Sequence, residues 1–199
     1  LAGGYNSNIT RMIIDEGFTK ENTVVYAVGK KGRELLERKG YEIKADYSEA
    51  INEPIYKDAK EICDDVLSAF ADGEVGEIYL AYTVFKNTVV HEPQLIRLLP
   101  VEADDAAHET DGSEALMTYE PSEEEALDMI IPKYVCSLVY GALIESVASE
   151  NGARMQAMDS ATSNAEEMIS TLSLKYNRAR QASITQELTE IIAGANAIE

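Results

Sequence analysis

Residues 133–193 run KYVCSLVYGALIESVASENGARMQAMDSATSNAEEMISTLSLKYNRARQASITQELTEIIA and contain no proline. Two isolated glycines, Gly141 and Gly152, each cost a helix about 1 kcal/mol, which so long a helix tolerates. At about 1.5 Å per residue, one helix over Lys133–Ala193 is on the order of 90 Å long. A domain of about 100 residues has a radius of gyration of only about 13 Å. We therefore expect a single long helix that projects from the domain that carries it.

The start of this helix is marked upstream of the quoted stretch. Ser122 and Glu125 match a capping box, in which a hydroxyl and a carboxylate three residues apart satisfy the first free amides. Pro132 removes one amide and crowds the carbonyl of Asp128, so we expect a kink in the first turns. The sequence predicts one helical segment over residues 119–199.

Apolar and small residues recur mostly every three, four or seven positions along the helix, which is the spacing of a coiled-coil seam. They are Leu138, Ala142, Ala148, Met155, Met158, Ala165, Ile169, Leu172, Tyr176 and Ala179. We expect a partner helix from another chain or from a segment that precedes Leu1. The stretch from Ile184 to Ile198 is apolar on several sides, so we expect this end to lie in an apolar sleeve.

Helix and strand patterns alternate over residues 1–101. The predicted strands cover residues 24–28, 41–45, 78–85 and 94–99, and the predicted helices cover 9–13, 30–39 and 55–70. The strand at 78–85 is apolar on both faces, as buried strands are, and the strand at 94–99 is its expected hairpin partner. Strands that alternate with helices predict an α/β fold with a Rossmann-like, mostly parallel sheet.

An acidic linker is expected between the α/β domain and the helix. Glu102, Asp104 and Glu109 are acidic, and no lysine or arginine occurs between Arg97 and Lys133. Such a run is typical of a solvated segment. The predicted organisation is an α/β domain over residues 1–101, a linker over 102–118 and the helix over 119–199.

Composition excludes several classes of function. The 199 residues carry a net charge of −19, and the isoelectric point is near 4.4. A nucleic-acid-binding protein needs a basic face, so we expect no nucleic-acid partner. The longest apolar stretches, such as residues 127–131, are interrupted and are shorter than the roughly 18 residues of a membrane span. Cys63 and Cys136 fit no zinc spacing and are predicted to be reduced thiols.

One segment hints at phosphate binding. Gly29–Arg33 follows a predicted strand and opens a helix, and helix N-termini attract anions. The segment lacks both GxGxxG and GxxxxGK[ST]. The alternative function is a nucleotide- or flavin-binding α/β enzyme with an oligomerising helical arm, which its ligand would stabilise. A coiled-coil scaffold is a third possibility.

Two stretches of the helix resemble motifs of the gamma subunits of F-type ATP synthases. Ser149–Met158, SENGARMQAM, resembles the motif SE-x-x-ARM-x-AM, and Tyr176–Ile191, YNRARQASITQELTEI, is similar to the C-terminal signature of that family. Leu1–Asn6, LAGGYN, resembles the LCGGYN turn, with Ala2 in place of the cysteine. Tyr119–Pro121, YEP, resembles the segment that opens the long helix. The similarity extends over the whole chain.

The chain departs from that family at its front. The family carries a long N-terminal helix and the first strand of its α/β domain ahead of the LCGGYN turn. We expect both to be missing here, and the missing helix to be the coiled-coil partner.

The resemblance implies a non-catalytic rotor subunit of the central stalk. It would couple ion flow through a membrane ring to ATP synthesis or hydrolysis in the catalytic beta subunits. The implied partners are the alpha and beta subunits around the helix tip, and the epsilon subunit and c ring at the foot. The implied location is peripheral, on the cytoplasmic face of a bacterial plasma membrane. We expect no catalytic residue, cofactor or metal in this chain.

The resemblance also implies partner-binding residues. Arg180, Gln181 and Thr185 match positions that hydrogen-bond a loop of the beta subunit, and Gln181 and Thr185 lie one helical turn apart. Tyr119 and Glu120 match the foot near the c ring. The remaining pair, Glu150 and Arg154, has the i, i+4 spacing of an intrahelical ion pair. The resemblance makes a contact between rotor and stator the other role for this pair.

Overall fold

The computed structural model describes residues 2–51, 53–101 and 122–196. The chain divides into two compact units, Leu1–Met155 and Gln156–Glu199. The first unit contains the described strands and the three shorter described helices, together with the first part of a long C-terminal helix. The second unit is the remainder of that helix.

Two of the shorter helices do not connect paired strands in the chain: one precedes the first described strand and the other follows the second. α1 (Tyr5–Asp15) follows a turn in which Gly3 has a φ of 58°, and α3 (Tyr56–Ala71) begins where the carboxylate of Asp58 accepts a hydrogen bond of 3.0 Å from the Ile55 amide. That bond satisfies one of the amides that a helix start leaves free.

A strand–helix–strand unit forms the parallel part of the fold. β1 (Val24–Ala27) and β2 (Glu42–Asp46) pair in parallel, and α2 (Lys30–Lys39) lies between them in the chain. α2 ends because Gly40 adopts a φ of 89°, and the Gly40 amide bonds the carbonyl of Glu37. The bounds of α2 match the sequence prediction.

The other two strands form an antiparallel hairpin, as predicted. β3 (Ile78–Phe85) has the predicted bounds, whereas β4 (His91–Leu99) begins before the predicted start at residue 94. The turn is held by Asn87, whose side-chain oxygen accepts hydrogen bonds from the amides of Val89 and Val90 at 2.9 and 2.8 Å. The α/β class is confirmed, with one parallel and one antiparallel pair among the described strands.

The last element is the long helix that the sequence predicted. α4 (Glu123–Asn196) spans 74 residues and continues through Pro132. The Ser122 hydroxyl accepts a hydrogen bond of 3.2 Å from the Glu125 amide, which is the serine half of the predicted capping box. The acidic linker and residues 119–121 lie outside the described residues.

The hydrophobic core of the first unit is built from α3, the hairpin and α4. Its buried members are Ala59, Ile62, Cys63, Ile78, Leu98, Leu99, Val135, Cys136, Val139 and Leu143. The α4 residues recur every three to four positions and so form one apolar face. Contrary to the expectation that the whole helix projects, the part of α4 around residues 135–149 packs against its own domain.

By length and composition, α4 could cross a membrane, with a mean hydropathy of 1.5 in its most apolar window. The sequence reading found no span because charged residues interrupt every apolar run. Packing accounts for part of the apolar character, since Val135, Val139 and Leu143 are buried in the core.

The second unit exposes its side chains. Residues 158–196 are exposed throughout, and Tyr176 and Ile191 keep 68% and 67% of their surface exposed. Ten large apolar side chains share this exposure, at Met158, Met168, Ile169, Leu172, Leu174, Tyr176, Ile184, Leu188, Ile191 and Ile192. The predicted seam is therefore divided, because Ala142 is buried in the first unit whereas the seam residues from Met158 onward are mostly uncovered.

Candidate functional site

A buried hydrogen bond joins α4 to the hairpin. Ser149 has no exposed surface, and its hydroxyl donates a hydrogen bond of 3.1 Å to the backbone carbonyl of Thr83. Thr83 is itself 3% exposed. Because neither group can turn to water, the bond satisfies both and fixes the helix against β3.

A second bond ties α1 to the same part of α4. The Tyr5 hydroxyl donates a hydrogen bond of 2.9 Å to the backbone carbonyl of Ser146. Burial raises the pKa of the Tyr5 hydroxyl, and the bond to Ser146 offsets only part of that rise. The phenol therefore stays protonated at neutral pH and remains a donor.

A close approach at Gly152 forms the third contact. A side-chain carbon added at Gly152 would lie 2.7 Å from Cε1 of His91 and 3.4 Å from Cε2 of Phe85. The first distance is shorter than carbon atoms allow without displacement. A side chain at position 152 would therefore have to displace the His91 ring, and glycine leaves that ring its space.

The imidazole that fills this space is held by packing. His91 lies against Phe85, with ring centroids 6.0 Å apart and planes tilted by 32°. Both His91 ring nitrogens are buried, and within the described residues neither has a hydrogen-bond partner. Because buried polar atoms without partners are costly, the surrounding shape must hold the ring in place.

The sequence reading missed these contacts. One local signal existed: the small residues Ser146, Ser149 and Gly152 recur at intervals of three, which places them near one face of a helix. Small residues on one face allow a close approach of other backbone. Nothing in the sequence singles out Thr83 or His91 as what approaches.

The predicted pair on this part of the helix is present. Arg154 forms an ion pair with Glu150 and donates a hydrogen bond of 3.0 Å to the side-chain oxygen of Asn151. The side chains of Glu150 and Arg154 are 32% and 46% exposed, so both remain open to solvent on one side.

The predicted residues nearer the end of the helix are exposed. Arg180, Gln181 and Thr185 all lie on the exposed part of α4. The Thr185 hydroxyl donates to the Gln181 carbonyl at 2.8 Å, so its oxygen is left as an acceptor. The other two predicted residues, Tyr119 and Glu120, lie outside the described residues.

The segment that hinted at phosphate binding is partly neutralised. Lys31 pairs with Glu34, and Arg33 pairs with Asp46. A cleft of about 1230 Å³ reaches this segment, and residues of β1, β3 and α4 line it. In the described part of the chain, no group of three or more His, Cys, Asp or Glu side chains is placed to hold a metal ion.

Comparison with known proteins identifies the family. The ATP synthase family model matches residues 1–198. The gamma chain of the ATP synthase of Lachnoclostridium phytofermentans is 67% identical over 204 residues, which cover 100% of this chain and 70% of that protein. The sodium-ion-specific ATP synthase gamma chain of Acetobacterium woodii is 43% identical over 214 residues, covering 100% of this chain and 71% of that one.

Structural comparison agrees. A cryo-EM structure of the central stalk and c ring of the Tetrahymena thermophila mitochondrial ATP synthase matches with a TM-score of 0.61 and 25% identity, covering 81% of this chain and 70% of that chain. These matches do not favour the nucleotide- or flavin-binding enzyme. The chain belongs to the ATP synthase gamma chain family, and its role is that of a central-stalk rotor subunit.

Proposed function

We propose that this subunit is itself non-catalytic and that α4 passes rotation to the catalytic beta subunits of the ATP synthase. The observation that carries this proposal is the uninterrupted exposure of residues 158–196, which include large apolar side chains. Exposed apolar surface of this extent is typical of an interaction site. A ring of alpha and beta subunits around the end of the helix would cover its last apolar side chains, Ile184, Leu188, Ile191 and Ile192.

The polar contacts of this end are assigned to Arg180, Gln181 and Thr185. Gln181 and Thr185 share one face, and Thr185 keeps an acceptor free after its bond within the helix. Arg180 adds a cation in a chain of net charge −19, which suits an acidic partner surface. We assign these three residues to a loop of the beta subunit.

The other proposed partners are assigned to further parts of the helix. Tyr119 and Glu120 are assigned to the foot, against the epsilon subunit and the c ring. The exposed seam at Ile169, Leu172 and Tyr176 is assigned to a coiled-coil partner helix, from a longer form of this protein or from another chain. Glu150 and Arg154 are assigned to a contact with the stator. The subunit is placed on the cytoplasmic side of a bacterial plasma membrane, as a peripheral component.

The experiment replaces Arg180 and Gln181 together by alanine in the reconstituted ATP synthase. Loss of a buried charged contact at an interface costs roughly 2–5 kcal/mol, so we expect a marked loss of ATP hydrolysis or of assembly. The matched control replaces Glu166 and Glu167, two long polar side chains that are also adjacent and exposed on α4. Wild-type turnover in the Arg180 and Gln181 variant would contradict the proposal.

A further inference from the structure

We infer that residues 146–152 of α4 form a helix grip, through which torque passes between the α/β domain and the exposed part of the helix. The grip consists of three contacts: Tyr5 with Ser146, Thr83 with Ser149, and His91 with Gly152. The inference rests on α4 transmitting rotation, and so on the proposed function.

The place of the grip along the helix supports this role. Ser149 and Gly152 are buried, whereas residues 158–196 are exposed throughout. Because α4 is one continuous helix, torque on its exposed residues must travel along the helix to reach the domain. The contacts at Gly152, Ser149 and Ser146 lie close to the point where this exposed part begins.

The type of contact supports the same role. The apolar contacts of Val135, Val139 and Leu143 hold the helix to the core, but hydrophobic attraction has no preferred direction. Hydrogen bonds weaken steeply when their angle changes. The bonds at Ser146 and Ser149 therefore resist a turn of the helix that apolar contacts would permit.

The contact at Gly152 adds a steric restriction on rotation of the helix. The His91 ring occupies the space beside Gly152, and an added side-chain carbon there would come within 2.7 Å of it. Rotating α4 about its axis would bring the side chain of Asn151 or Ala153 towards that ring. The contact therefore accepts one rotational setting of the helix and opposes its neighbours.

The domain residues of the grip lie on elements that their own hydrogen bonds and an ion pair stabilise. Thr83 and His91 belong to the two strands of one hairpin, and Tyr5 belongs to α1. The hairpin turn beside His91 is closed by the bonds to Asn87 and by an ion pair between Lys86 and Glu92. Torque delivered at Gly152 is thus received by strands whose own hydrogen bonds hold them together.

The test uses the complete ATP synthase in inverted membrane vesicles. ATP hydrolysis and ATP-driven ion uptake are measured in the same vesicles, with uptake followed both for protons and for sodium. For Gly152→Ala we expect a severalfold fall in ions transported per ATP hydrolysed, because the helix slips against the domain. Gly141→Ala is the matched control, since a side-chain carbon at Gly141 meets nothing within 4 Å.

A residue that only supports the fold would lower hydrolysis and transport in equal proportion, and that result would overturn the inference. If Gly152→Ala fails to assemble, Ser149→Ala combined with Tyr5→Phe decides, because these changes remove only two hydroxyl groups. An unchanged ratio of transport to hydrolysis in that double variant would overturn the inference too. Failure of the proposed function is separate, since it appears as normal hydrolysis in the Arg180 and Gln181 variant.

Discussion

The hydroxyl of Ser149 in α4 donates its hydrogen bond to the backbone carbonyl of Thr83 in β3, and both residues are buried. Replacing Ser149 by alanine leaves that carbonyl without its partner. A buried group left unsatisfied costs about 1–3 kcal/mol, so we expect the free energy of unfolding to fall by that amount. Urea denaturation measures it. Ser160→Ala, at an exposed position of the same helix, should change stability little, and an equal effect of the two substitutions would contradict the argument.

The two glycines of α4 should respond to alanine in opposite directions. At Gly152 the new methyl group meets His91, and overpacking of this kind costs about 1–3 kcal/mol. At Gly141 the methyl group meets nothing, and a helix gains up to about 1 kcal/mol when alanine replaces glycine. Thermal or urea denaturation of both variants should show one loss and one gain. Two changes of the same sign would refute the assignment of Gly152 as a close contact.

The thiol of Cys63 should be unreactive in the folded protein. Burial, and secondarily the neighbouring Cys136, raise the pKa of Cys63 from 9.0 to about 12. Thiol reagents attack the thiolate, so labelling of native protein at pH 9.0 should be slow and should become rapid on denaturation. Fast labelling of two thiols per native chain would contradict this expectation.

The same shift makes stability depend on alkaline pH. In the unfolded chain the Cys63 thiol loses its proton near its ordinary pKa of 9.0, whereas in the folded protein it keeps the proton up to a pKa of about 12. The contribution of Cys63 to stability is therefore complete below pH 9.0 and is lost as the pH rises towards 12. Between pH 9.0 and 12, the free energy of unfolding should fall less with rising pH for Cys63→Ala than for the natural chain. Identical slopes of this free energy against pH would count against burial of the thiol.

The pair formed by Glu150 and Arg154 should contribute little to the stability of the isolated chain. Both side chains are partly exposed, and exposed i, i+4 pairs are worth about 0.3–0.5 kcal/mol. A double-mutant cycle with alanine at both positions should give that coupling energy in the isolated chain. If the pair also contacts the stator, the coupling measured in the assembled complex should be larger. Equal coupling in both settings would confine the pair to an intrahelical role.

Local patterns explain which parts of the fold could be predicted. The bounds of α2 follow from Gly40, which ends the helix, and those of β3 follow from its apolar run. The bond of the Ser122 hydroxyl to the first turn and the ion pair of Glu150 with Arg154 are also local, and both form as predicted. In each case the residues that decide the structure lie within one or two turns of each other.

Contacts between distant parts of the chain explain what could not be predicted. Thr83 and Ser149 are 66 positions apart, and Tyr5 and Ser146 are 141 apart. The small residues on α4 indicate that something approaches, but the fold alone decides that it is the hairpin. The same holds for Val135 and Val139, whose spacing suits a coiled-coil seam and a domain core equally well.

The core of the α/β domain has a consequence for the biosynthesis of the chain. Ala59, Ile62 and Leu98 share a core with Val135 and Leu143, which a ribosome adds only after the described strands β1 to β4 have been made. The nascent domain must therefore wait with an uncovered apolar face until the first part of α4 emerges. Release of a chain that stops before residue 135 would leave that face open to aggregation.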